Sequence, residues 1–208
     1  MAFETWLAFV AASTLLVLIP GPTVLLVLSY AISQGRRVAV STAAGVAVGD
    51  LVAMTASLAG LGALVLASAT LFTALKWIGA VYLVYLGVKM ILGARSAAFA
   101  LPEAEAISAR RTFGHAAAVT ALNPKSIAFF IAFVPQFIAP EAALLPQFAI
   151  LIGTFVAIAT LNALAYALLA GSLRNRLSRP GVIAWLTRAG GGTLIAMGVL
   201  TATLRRGS

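Results

Sequence analysis

With 62% hydrophobic and only 9% charged residues among 208, and a mean hydropathy of +1.07, the chain is too apolar for a soluble globular domain of its length and reads as an integral membrane protein. The absence of Cys excludes a disulfide framework, a thiolate metal site and thiol redox chemistry; the single His115 cannot build a metal cluster alone, so no cofactor or metal is expected. A net charge of +9 would suit a nucleic-acid binder, but the basic residues stand in short connections between apolar runs, where membrane topology explains them and no nucleic-acid partner is expected.

The first apolar run covers residues 3–30, more than the ~20 residues that cross ~30 Å of hydrocarbon. Glu4 stands where a secretory signal would carry positive charge, and five more runs follow, so this segment is expected to be kept. Inside it lies Ile19-Pro20-Gly21-Pro22-Thr23. Each proline removes a backbone donor and pushes on the carbonyl one turn earlier, so the helix is predicted to break here. Unpaired peptide groups at this depth survive only against protein or a wet cavity.

Further runs follow at 38–66, 71–92, 113–137, 144–170 and 182–204, which predicts an all-α protein of six transmembrane helices in a single domain, 1–208. With the N-terminus outside, the inner connections hold nine basic residues (Arg36, Arg37, Lys89, Arg95, Arg110, Arg111, Arg174, Arg176 and Arg179) against three outside (Lys76, Arg205 and Arg206). Both termini are therefore expected on the outer, periplasmic face. Arg188 lies slightly inside the sixth run, within reach of the inner face. Residues 93–112, polar and carrying Pro102, read as a cytoplasmic linker between a first half, 3–92, and a second, 113–204.

Three crossings on each side of the linker give the halves opposite orientations. Pro22 and Pro124 interrupt the first helix of each half, and Gly79 to Gly87 in the third helix matches Gly190 to Gly198 in the sixth, both eight residues apart. The offsets of 102 and 111 differ by about nine residues, so an inverted repeat needs a gap of that size. Twelve residues separate Pro22 from Gln34 and Thr112 from Pro124, placing each break ~18 Å from the inner end of its helix. Two related broken helices meeting at one depth are thus expected.

Asp50 is the one carboxylate deep within any run. A charge at mid-bilayer costs about 3 kcal/mol or more, so Asp50 is expected to face the interior, either paired with Lys125 or a helix dipole as structural glue or as a group that takes a proton or a substrate ammonium. Gly45 and Gly49 share a helical face just before it and admit a close neighbour, a common packing device. The half-helix after Pro22 aims the free N–H groups of Thr23 and Val24 at the site and favours an anion, while unwound carbonyls near Ile19 favour a cation. Asn123-Pro124-Lys125 supplies the second break, and a zwitterionic amino acid fits between the two. Asn162 and Tyr166, one turn apart, and Tyr82 with Tyr85 are candidates for the cavity wall, with interhelical packing as the plainer reading. His115 is assigned to the interface.

These residues together resemble the LysE/RhtB family of bacterial amino-acid exporters. The matching pieces are Pro20-Gly21-Pro22, Gly35, Gly45 to Gly49-Asp50, Gly79 with Tyr82-Leu83 and Gly87, Asn123-Pro124-Lys125 with Phe129-Phe130 and Pro135-Gln136-Phe137, and Gly190 to Gly198. The resemblance implies proton-coupled export of amino acids or close relatives across the bacterial inner membrane, with the two proline motifs and Asp50 at the transport site. Similar carriers of metals or reducing equivalents would need His-rich segments or membrane cysteines, which this chain lacks.

The expected partners are therefore a small amino acid, protons and the lipid bilayer, with self-association into a homo-oligomer left open. Two rivals are weaker. An intramembrane enzyme acting on lipid would need paired acids or a His-based set, and the chain offers one deep acid and no deep His. A non-transporting scaffold would leave both breaks as inert kinks.

Overall fold

The computed structural model describes residues 1–19, 21–34, 36–94, 108–139, 142–177 and 180–203. Pro20, Gly35, the linker interior with Arg95, Pro102, Glu103 and Glu105, and Arg179, Arg205 and Arg206 lie outside the described residues, as do the side chains of Arg36, Arg174 and Arg176.

All regular structure among the described residues is helical: α1 (Phe3–Leu18), α2 (Pro22–Gln34), α3 (Arg36–Ala67), α4 (Ala69–Gly93), α5 (Ala109–Ala121), α6 (Pro124–Ala132), a 3-10 turn (Val134–Phe137), α7 (Leu144–Leu177) and α8 (Pro180–Thr203). Four helices are long and apolar enough to cross a bilayer singly. Two bent pairs, α1 with α2 at 55° and α5 with Pro124–Phe137 at 43°, pass the same test of length and apolarity together, and counting each pair as one span brings the number to six. The protein is a multi-pass membrane protein, interrupted where the sequence predicts.

The boundaries differ where caps and a further proline intervene. Ser68 accepts a hydrogen bond from the Leu71 N–H at 3.3 Å and Ser108 one from the Arg111 N–H at 3.3 Å, so α4 and α5 start ahead of their apolar runs. Hydropathy cannot register a cap. Past Ala132 the chain tightens into the 3-10 turn, where Pro135 has no N–H to continue an α-helix. The helix predicted through residue 137 therefore ends early, and α7 runs on to Leu177, past the predicted 170.

In lipid, close packing rather than hydrophobic transfer holds helices together, so small residues mark the contacts. The Gly49 face of α3 seats α5: a Cβ at Gly49 would stand 2.6 Å from the Ala117 carbonyl oxygen. The α4–α8 contact is reciprocal. A Cβ on Gly87 would strike the Gly191 carbonyl and Ile195, and one on Gly191 would strike the Gly87 carbonyl and Ile91. A buried cluster of Phe129, Phe130, Phe133, Phe137, Phe155 and Phe9 then ties the second broken helix to α7 and α1, with Phe130 and Phe155 edge-to-face at 4.7 Å. Large apolar side chains such as Ile78, Val81 and Leu161 point outward, as a bilayer requires.

Candidate transport site at two interlocked helix breaks

At the first break, α1 ends at Leu18 and Ile19 leaves the helix with φ −74°, ψ 118°. In a continuous helix, the carbonyls of Leu16, Val17, Leu18 and Ile19 would accept from residues 20 to 23. Two of those, Pro20 and Pro22, have no N–H to give. Left bare in hydrocarbon, each such group would cost several kcal/mol.

Every one of the four carbonyls instead receives a donor from the second half of the chain. Lys125 Nζ donates to the Leu16 and Ile19 oxygens, both at 3.0 Å. Asn162 Nδ2 donates to Val17 at 2.9 Å, and the Tyr166 hydroxyl to Leu18 at 3.0 Å. The cation predicted to favour carbonyls near Ile19 is the chain's own lysine.

At the second break Asn123 Oδ1 accepts from the Lys125 N–H at 3.0 Å and caps α6, with Pro124 at its first position, where a missing N–H costs nothing. The same side chain turns its Nδ2 to Thr23 Oγ1 at 3.1 Å, and the Thr120 hydroxyl also reaches Thr23 Oγ1 at 3.4 Å. The two breaks therefore bond to each other from both sides.

Asp50 on α3 completes the assembly at 4% exposure. It makes no hydrogen bond, and no ion pair within 4.0 Å, with any described residue; the opposite charge acting on it is Lys125, itself 9% exposed. The simple glue of an Asp50–Lys125 contact pair is therefore absent among the described residues. Both groups line one cavity of about 40 Å³ between the breaks. That space admits water, whereas small-molecule sites run from about 300 Å³.

Of the residues singled out from the sequence, Gly21, Thr23, Asp50, Asn123, Lys125 and Asn162 line this cavity. Pro22 and Pro124 set the starts of α2 and α6 with their rings exposed, Tyr166 stands behind the wall as a cap, and Pro20 lies outside the described residues. Tyr82 and Tyr85 do not belong to it. They are 39% and 53% exposed on the outer face of α4, stacked on each other at 5.9 Å, because Gly79, Leu83 and Gly87 occupy the inward face. His115 is exposed and bonds through Nδ1 to the Tyr30 hydroxyl at 2.8 Å, consistent with an interfacial place.

Sequence reasoning placed the Val24 N–H at the site but missed the rest of the apolar wall: Val27 from α2, Val46 from α3, and Phe155, Ala159 and Ala163 from α7. The α7 members recur every four residues and share a face with Asn162 and Tyr166, a pattern visible in the sequence once Asn162 is taken to point inward.

The family model described as LysE type translocator matches residues 14–205. A homoserine/homoserine lactone efflux protein of Salmonella typhimurium is 35% identical over 205 residues, 99% of either chain. An uncharacterized membrane protein of Vibrio cholerae is 32% identical over 205 residues, 99% of this chain and 100% of that one. A leucine efflux protein of Klebsiella pneumoniae is 32% identical over 133 residues, 64% of this chain and 63% of that one. No solved structure matches the chain.

Proposed function

The chain belongs to the LysE type translocator family, a family of carriers rather than enzymes, and from that membership and the site geometry we propose that it is a secondary transporter exporting amino acids or close derivatives from the cytoplasm. The observation that carries this reading is the meeting of both breaks around one buried acid and one buried base, Asp50 and Lys125. One charge of each sign balances a zwitterion. The remaining wall of Val24, Val27, Val46, Ala159 and Ala163 suits a small uncharged side chain, in keeping with the cargoes in the names of the homoserine and leucine efflux relatives.

In this reading the cargo carboxylate faces the free N–H groups at the start of α2, around Thr23 and Val24. Asp50 carries the proton that couples export to the gradient, and Lys125 is its charge partner. Pro20, Gly21, Pro22, Asn123 and Pro124 shape the binding site, with Asn162 and Tyr166 holding its wall. Alternating access follows from rocking one three-helix half against the other.

The reciprocal Gly87–Gly191 and Ile91–Ile195 arrangement supports an inverted repeat with an offset of 104 between the third helices, in place of the 111 read from the glycine spacings and close to the 102 between Pro22 and Pro124. The basic residues of the connections support both termini on the periplasmic side of a bacterial inner membrane.

The test is amino-acid release from cells fed dipeptides, with and without the protein. Faster appearance of one or more amino acids in the medium is expected when it is present. Equal release across a panel that includes leucine- and homoserine-yielding peptides overturns the reading.

A further inference from the structure

We propose that the Leu16 and Ile19 carbonyls with Gly21 form a binding site for a primary ammonium group, and that Lys125 is a tethered occupant displaced by the ammonium of the cargo. This rests on the transport reading above for the identity of the displacing group, but the site itself is an independent structural claim.

The four carbonyls of the broken α1 end are capped in two different ways. Asn162 and Tyr166 are neutral, lie one turn apart on a single helix, and each serves one carbonyl. Lys125 brings a full charge on a four-carbon stem from α6, and its ammonium spans two carbonyls. An ammonium has three donors, so two bonds to Leu16 and Ile19 leave one hydrogen to spare. Gly21 leaves room beside it: a Cβ there would stand 3.3 Å from Lys125 Nζ, so the ammonium would have to shift by a few tenths of an ångström. The cradle is thus shaped for a compact cation with N–H donors in a tripod, the same headgroup an amino acid carries.

The same contacts explain why the cavity is small. With Lys125 seated, only about 40 Å³ remains between the breaks, too little for an amino acid. Withdrawing the stem frees space and the carbonyl pair together. The displaced ammonium has one acid to turn to within this cavity, Asp50, which is without a contact partner among the described residues. A cation arriving beside Asp50 competes with a proton held there, so cargo binding and proton release become linked through the movement of one side chain. In the empty carrier the carbonyls are never bare, which removes the cost of exposing them in hydrocarbon.

The experiment is chemical rescue. Lys125→Ala, purified in detergent, is heated with ethylammonium chloride, and with sodium chloride, ethanol or tetramethylammonium chloride at equal concentration. Ethylammonium is expected to raise the variant's melting temperature saturably, by about 3–6 °C at ten times its half-saturating concentration, with no such rise in the wild type or with the controls. Adding Gly21→Ala to the variant should weaken the effect, raising the half-saturating concentration of ethylammonium. A response to ethylammonium no larger than to sodium overturns the site, and so does failure to recover the variant even when ethylammonium is present throughout. Displacement is read separately in [15N]lysine-labelled protein carrying Lys76→Arg and Lys89→Arg, which leaves Lys125 as the sole labelled amine. Its Nζ resonance should move on addition of L-leucine or L-homoserine at concentrations that protect the protein from heat. A stationary resonance under protection overturns the displacement. Positive rescue in a protein that exports no amino acid would keep the ammonium site and discard the transport reading.

Discussion

Asn123 Nδ2 stands 3.1 Å from Thr23 Oγ1, and with that contact the residue that starts the half-helix after one break is held by a residue at the start of the half-helix after the other, 100 positions away. Asn123 also caps α6 through its other side-chain atom, so its two ends do different work: one shapes a local turn and one joins the halves. Thr23→Val should remove the second of these, together with the longer Thr120 contact, and cost about 1 kcal/mol, whereas Asn123→Ala should cost about 1–2 kcal/mol more through the lost cap. Melting temperatures in detergent check the order. Thr23→Ser, which keeps the acceptor, should stay within about 0.5 kcal/mol of wild type.

Asp50→Asn keeps the size of the side chain and removes its charge at a position without a contact partner among the described residues. The variant should insert and fold normally, because no hydrogen bond or contact ion pair is lost with the charge. Efflux from vesicles driven by an imposed pH gradient should nevertheless fall by at least tenfold. A wild-type rate in the variant would refute the coupling role of Asp50.

Gly49→Leu should abolish folded protein, since even its Cβ would lie 2.6 Å from the Ala117 carbonyl oxygen and 2.7 Å from Thr120 Cβ. Gly192→Ala is the matched control, as nothing lies within 4 Å of the added methyl, and the helix should gain about 0.5–1 kcal/mol. Size-exclusion profiles of fluorescent fusions separate the two.

Tyr166→Phe removes the donor to the Leu18 carbonyl, one of the two that face a proline in place of an N–H. A loss of about 1 kcal/mol is expected, at the upper end of interhelical hydrogen bonds in membranes because the carbonyl has no backbone alternative. Tyr82→Phe removes a hydroxyl from the outer face of α4 and should leave both stability and efflux unchanged. Equal defects in both variants would refute the assignment of one to the site and the other to the surface.

What the chain determined by itself follows from properties that need no neighbour. Apolar length finds the candidate spans, a proline lacks its N–H wherever it sits, and an acid deep in an apolar helix is too costly to face lipid, so the long apolar helices, the two breaks and a buried Asp50 were all legible. The tertiary structure decided who meets whom. Helical periodicity groups residues on a face, but in helices apolar on every side it does not say which face turns inward, and so Tyr82 and Tyr85 read as well for the cavity as Asn162 did. Nor does charge alone choose between partners: Lys125 takes the carbonyls of Leu16 and Ile19 rather than direct contact with Asp50 because the break in α1 leaves those oxygens bare within reach of its stem. That geometry exists only once the fold brings the end of α1 within reach of the Lys125 side chain.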